Sequence, residues 1–102
     1  MKIKQGSSWR DVPIAGNILE PGTSAELKTG AWRADVKPKW HADRCIQCSQ
    51  CWVFCPDVAI RLDDEGKVCG IDYDYCKGCG LCASVCPEKA NAIEMVPEAE
   101  EV

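Results

Sequence analysis

The chain has 102 residues, a formal charge of −4 and nine cysteines, with only one Phe and two Tyr. A chain so short and so poor in large apolar rings buries little surface, and such domains lean on disulfides or metal. The acidic balance argues against nucleic acid or anionic lipid as a partner, and no stretch reaches the ~20 apolar residues of a membrane span. The opening Met1-Lys2-Ile3-Lys4-Gln5-Gly6 has no apolar core of a secretory signal, so a cytoplasmic, reducing location is expected, where thiols bind metal. Acidity then either favours docking to basic patches on partner proteins or only keeps the protein in solution.

Residues 1–36 read as an extended, loop-like arm that binds other subunits. The stretch is free of cysteine and broken by Gly6-Ser7-Ser8, Pro13, Gly16-Asn17, Pro21-Gly22 and Gly30, so no helical or strand period persists. It nevertheless carries Trp9, Ile14, Ile18, Leu19 and Trp32, and each tryptophan precedes an arginine. Trp and Arg are enriched at the energetic centres of interfaces, which is the basis for reading the arm as a strap over partners. The alternative is that it folds back over this domain's own sheet.

Residues 37–97 form a second unit, with a short strand expected around Trp40-His41. It leads into Cys45-x-x-Cys48-x-x-Cys51-x-x-x-Cys55-Pro56. Val58–Leu62 alternates as a strand, Asp63–Gly66 turns, and Lys67–Ile71 returns. A second run follows, Cys76-x-x-Cys79-x-x-Cys82-x-x-x-Cys86-Pro87, displaced by 31 residues at every cysteine. Ala92–Val96 is the last strand, after a two-residue insertion relative to the first half, and 98–102 is an acidic tail expected to fray.

Each run has the spacing of bacterial two-cluster ferredoxins, in which the fourth cysteine ligates the other cluster. Three thiols at i, i+3 and i+6 on a tight loop can hold three irons of a cubane, and the fourth, in the short helix that follows, points to the neighbouring site. Cys45, Cys48, Cys51 and Cys86 are therefore assigned to one [4Fe–4S] cluster, and Cys76, Cys79, Cys82 and Cys55 to a second. Pro56 and Pro87 lack an N–H and end each helical turn. The expected fold is α+β: a bacterial two-cluster ferredoxin-like module, pseudo-twofold, with two short hairpins, two short helices and the N-terminal arm.

Loop II, Lys77-Gly78-Cys79-Gly80, differs from loop I, Ile46-Gln47-Cys48-Ser49. Glycines admit close N–H···S approach and Lys77 adds positive charge, so the second cluster is expected to have the higher potential; the alternative is two equivalent low-potential clusters. Trp52 and Phe54 are expected to pack in the core and shield a cubane from water. Cys69, outside both runs, is expected as a small buried hydrophobe, and His41 as a packing or solvent residue without a partner. No catalytic residue is found, because no nucleophile–base arrangement, phosphate-cradling loop or zinc-protease motif is present.

Several stretches resemble one family. Lys28-Thr29-Gly30-Ala31-Trp32-Arg33 before Pro38 is similar to its lead-in, as are Cys51-Trp52-Val53-Phe54-Cys55-Pro56-Asp57, Ile71-Asp72-Tyr73-Asp74-Tyr75-Cys76-Lys77-Gly78-Cys79-Gly80 and Cys86-Pro87-Glu88-Lys89. Over roughly residues 28–95 the chain resembles the delta subunit of pyruvate:ferredoxin oxidoreductase and related 2-oxoacid:acceptor oxidoreductases. Gln47 and Ser49 depart from it, standing where members often carry Lys and Gly. The resemblance implies an electron-relay subunit of a hetero-oligomeric enzyme that decarboxylates a 2-oxoacid to an acyl-CoA. Thiamine diphosphate, Mg and CoA would then sit in the larger partner subunits, and an external ferredoxin or other acceptor would receive the electrons. It does not name the oxoacid. The competing readings are a free-standing ferredoxin, an iron–sulfur subunit of another redox complex, and a structural zinc module; zinc sites usually come as paired Cys-x-x-Cys units, which the i+6 cysteine and the Cys-Pro endings disfavour.

Overall fold

The computed structural model describes residues 4–101; the first three residues of the arm, with the start of the N-terminal reading, and the last residue of the tail lie outside them. Six short elements follow the arm: β1 (Val36–Trp40), α1 (Gln50–Phe54), β2 (Ile60–Leu62), β3 (Val68–Ile71), α2 (Leu81–Val85) and β4 (Ile93–Pro97). The fold is small and α+β. Among the described residues no helix is long and apolar enough to cross a membrane.

The pairing differs from two hairpins. Only β2 and β3 form one, with Ile60 opposite Ile71 and Asp63–Gly66 as the turn. The other sheet joins the two ends of the domain: β1 runs antiparallel to β4, with Val36 opposite Pro97 and Trp40 opposite Ile93. A proline is tolerated in β1 because a two-stranded sheet has only edge strands, and Pro38 is fully buried there. The Tyr73 hydroxyl donates to the Pro38 carbonyl at 2.6 Å, tying this sheet to the second half of the chain.

The tail is anchored further than expected. The Glu98 N–H donates to the Asp35 carbonyl at 2.9 Å, continuing the β1–β4 ladder. Its carboxylate accepts two hydrogen bonds from Arg33, at 2.9 and 3.2 Å.

Cys69 is exposed rather than buried. The β2–β3 register shifts between Arg61 and Leu62, which face Gly70 and Val68, so Cys69 is the unpaired residue of a β-bulge. The bulge resets the alternation: Val68 and Ile71, three apart, are both buried, and Cys69 turns outward. Trp52 and Phe54 are about half exposed, not core. Cys51 and Cys55, one helical turn apart, take the inner face of α1 and leave 52–54 outside. His41 does have a partner: Nε2 lies 3.3 Å from the Glu94 carboxylate across the β1–β4 sheet.

The arm consists of single 3-10 turns at Trp9–Asp11, Ile14–Gly16, Thr23–Glu26 and Thr29–Trp32. Ser8 caps the first of these and Asp11 returns the bond to the Ser8 N–H. Its final third is fixed to the second cysteine loop. Tyr75 Oη donates to the Ala25 carbonyl and accepts from Lys28 Nζ at 3.0 Å, while the Gly30 N–H donates to the Asp74 carbonyl at 2.6 Å. Glycine is required at 30, because a Cβ would overlap the Tyr73 carbonyl. Further back, Ile14 and Leu19 are 93% and 83% exposed, and Trp9 and Trp32 are each 74% exposed.

Candidate metal centres

Two small cavities flank the packed pair α1 and α2. The first is lined by Cys45, Cys48, Cys51 and Cys86, with Trp40, Ile46, Val68, Ala90, Ala92 and Ile93 completing an apolar wall. The second is lined by Cys55, Cys76, Cys79 and Cys82, with Pro38, Ala59, Ile60 and Ile71. Each cavity thus takes three thiols from one loop and one from the far half of the chain.

Local backbone geometry explains how. Each ligand loop turns through two left-handed residues, Gln47 and Ser49 in the first and Gly78 and Gly80 in the second, with φ between 58° and 81°. Ser49 and Gly80 then stand immediately before α1 and α2. The last helical N–H bonds, Cys55 to the Cys51 carbonyl and Cys86 to the Cys82 carbonyl, at 3.0 and 3.2 Å, place the fourth cysteine one turn beyond the third. The proline that follows forces that cysteine out of the helical region, to ψ of 116° and 126°. From one inner helix face, consecutive turns therefore feed two different cavities.

Backbone amides aim at the sulfurs in matched pairs. Gln47 N–H donates to Cys45 Sγ and Gly78 N–H to Cys76 Sγ, both at 3.4 Å. Ala59 N–H donates to Cys55 Sγ at 3.2 Å and Ala92 N–H to Cys86 Sγ at 3.3 Å. The residues before the second pair, Val58 and Asn91, are both held at positive φ, 51° and 43°. The expected advantage of the glycine loop is therefore absent from these bonds, because Gln47 and Ser49 adopt the glycine conformation. Lys77 does border the second cavity, but its charge is paired: Nζ lies 3.1 Å from Asp57 Oδ1 and donates to the Tyr75 carbonyl at 2.8 Å.

The residues fit an iron–sulfur cubane. Four sulfurs surround each volume, the rest of the walls is mostly apolar, with the Asp57–Lys77 pair at the second, and N–H donors already point at thiolate positions. Trp40, in the wall of the first cavity, has a buried indole N–H with no partner. Among the described residues no group of three or more His, Cys, Asp or Glu side chains is placed to hold a single metal ion. The thiols ring a space instead of converging on a point, which suits a cluster better than zinc. Burial pushes the Cys51 and Cys76 thiols up and Cys82 to about 12. They are neutral in the metal-free chain, so ligation must release their protons.

Residues 39–95 match the 4Fe-4S dicluster domain family. The chain is 55% identical over 93 residues to the pyruvate synthase subunit PorD of Thermotoga maritima, covering 91% of this chain and 90% of that protein. The chain belongs to the PorD-type family of dicluster subunits. PorD of Methanocaldococcus jannaschii is 47% identical over 85% of this chain and 96% of its own length. The ketoisovalerate oxidoreductase subunit VorD of Pyrococcus furiosus is 48% identical over 74% of this chain and 66% of its own. A dicluster domain carries two [4Fe–4S] clusters, matching the number of four-thiol cavities.

One residue that the sequence placed, with its tryptophan, at an interface is central to the chain's own packing. Arg33 is nearly buried: Nη1 donates to the carbonyls of Tyr73 and Cys76, at 2.6 and 2.8 Å, while Nε and Nη2 donate to Glu98. It joins arm, second loop and tail. Its position directly after an exposed tryptophan at the end of a cysteine-free arm was the one available signal, and that signal pointed to an interface instead.

Proposed function

We propose that this chain is the electron-relay subunit of a thiamine-diphosphate-dependent 2-oxoacid oxidoreductase, passing electrons released on oxidative decarboxylation to an external ferredoxin or similar acceptor. The observation that carries the reading is the pair of four-thiol cavities, each built from both halves of the chain, in a PorD-type sequence. Cys45, Cys48, Cys51 and Cys86 hold one cluster, and Cys55, Cys76, Cys79 and Cys82 the other. Each cubane, when bound, accepts and passes one electron. The chain's own residues hold it, keep water off it with apolar walls, and steady its thiolates with backbone N–H groups.

The division of the chain follows that role: 37–97 is the ferredoxin-like domain, 98–102 an acidic tail, and 1–36 a strap for the larger subunits. Support for the strap comes from Trp9, Ile14, Leu19 and Trp32, which lie exposed along one arm instead of covering the chain's own sheet. Among the described residues, the bonds of Tyr75, Gly30 and Arg33 fix the last part of the arm, from Ala25 onward, to the domain. Catalysis, with thiamine diphosphate, Mg and CoA, belongs to the partner subunits in the cytoplasm. PorD and VorD relatives are named for different oxoacids, so a relay of this type does not itself name the substrate.

The test is anaerobic purification through a tag on this chain. Larger subunits should co-elute stoichiometrically with thiamine diphosphate, with eight irons per copy of this chain, and a panel of 2-oxoacids with CoA then names the substrate. A lone brown monomer would make it a free-standing ferredoxin.

A further inference from the structure

Gln47 makes two side-chain hydrogen bonds that its counterpart across the pseudo-twofold repeat cannot. Its counterpart, Gly78, cannot bear a side chain, since a Cβ there would overlap the Val36 carbonyl. On the other side of the molecule that space is open, and the Gln47 carboxamide uses it. The Val68 N–H donates to Oε1 at 2.7 Å and Nε2 donates to the Val68 carbonyl at 3.1 Å, so the side chain pairs with β3 as another strand would. Both bonds are partly buried, and Val68 itself lines the cavity of Cys45, Cys48, Cys51 and Cys86.

Gln47 holds φ at 58°, a conformation that costs a residue with a side chain and would relax if nothing held it. The same residue's backbone N–H reaches Cys45 Sγ. The clamp and the sulfur bond are thus two ends of one residue.

We propose that Gln47 is a positioning residue for the first cluster: its carboxamide, paired with the Val68 backbone, keeps the strained loop in place and its own N–H on the Cys45 sulfur. The inference rests on reading those four cysteines as ligands of one cluster. Hydrogen bonds to cluster sulfurs favour the reduced, more negative state, so the clamp raises that cluster's potential. Loop I thereby reaches, with a side chain, what loop II reaches with glycine.

The experiment compares the anaerobic complex carrying wild-type chain, Gln47→Met and Gln47→Gly, by iron content and redox-monitored EPR. Met keeps the length without the hydrogen bonds; Gly removes the clamp and the backbone strain together, so it does not endanger folding. In Gln47→Met, eight irons and a shift of one cluster alone are expected. At fixed ambient potential its reduced-to-oxidised ratio should fall about tenfold, which is ~59 mV for one electron. The Gly variant, which takes the left-handed turn without strain as Gly78 does, should keep eight irons and shift less than the Met variant. Loss of iron in the Met variant that the Gly variant does not share supports the proposal as well. Wild-type potentials in the Met variant with eight irons present, or loss of iron in both variants, overturn it and leave the carboxamide a brace for the fold alone. Fewer than eight irons in the wild-type complex would overturn the ligand assignment itself, a separate failure visible before any variant is made.

Discussion

The guanidinium of Arg33 and the carboxylate of Glu98, 65 residues apart, meet through two hydrogen bonds beside the second cysteine loop. This bidentate pair closes the β1–β4 sheet at its outer end and holds the arm against the loop that carries Cys76. The hydrogen bonds to Arg33, then its charge, hold the Glu98 carboxyl below its ordinary 4.5.

The pH dependence follows from that direction. A carboxyl lowered in the folded state stabilises it above its ordinary pKa, and the benefit is lost as pH falls through the lowered value. Glu98→Gln should therefore weaken the complex-bound chain by a constant amount from pH 7 to about 4.5, with the difference shrinking below that. Urea-induced loss of the visible thiolate-to-iron band, compared between the two proteins across pH, checks it. A difference that already vanishes near pH 6 would mean that the pair does not act through the carboxylate's charge.

Backbone strain predicts a pair of opposite effects. Val58 is β-branched, has φ of 51° and is 75% exposed, so Val58→Asn sacrifices little packing and suits the left-handed region better. A gain of about 1 kcal/mol is expected. Gly78→Ala meets both the left-handed penalty and the Val36 carbonyl, and should cost about 2 kcal/mol or more. Anaerobic urea titration of the cluster absorbance measures both, and a Gly78→Ala chain as stable as wild type would contradict the close packing of β1 on loop II.

How far the sequence reveals this molecule depends on what fixes each feature. The eight cysteines around the two cavities are legible because a cubane imposes their spacing, and the exchange of the fourth thiol follows from one helical turn. Partners of strands are not encoded by periodicity, so β1–β4 pairing, which closes the domain end to end, was invisible. Cys69 looked buried because free cysteines usually are, and its place as the unpaired residue of the β2–β3 bulge reverses that. Trp52 and Phe54 looked like core on hydrophobicity alone; Cys51 within the five-residue helix and Cys55 just after it take the inner face and leave them none. Gln47 read as a departure from a glycine-and-lysine pattern, since its partner, the Val68 backbone, is 21 residues away.

The paired charge of Lys77 changes what its replacement should do. With Asp57 at 3.1 Å, and both side chains about a quarter exposed, the ion pair presents little net charge to the second cavity. Asp57→Asn frees the positive charge and should raise the potential of the second cluster, whereas Lys77→Met leaves the carboxylate alone and should lower it. The first cluster, lined by neither residue, should move less in both variants. Redox-monitored EPR that shows shifts of the same sign in the two variants would contradict this account.

The buried indole N–H of Trp40 makes the last prediction. A donor removed from water without an acceptor costs about 1–3 kcal/mol, so natural sites rarely retain one. Trp40 lines the first cavity, and the acceptor chemistry that a bound cluster adds there is sulfur. Trp40→Phe keeps an aromatic wall and removes only the donor and part of the ring. In the loaded complex it should lower the potential of the first cluster with eight irons retained, as the loss of a sulfur-directed hydrogen bond requires. Both readouts come from one sample, by iron analysis and EPR titration. An unchanged potential together with a more stable chain would show instead that the indole N–H is a buried donor the protein leaves unmatched.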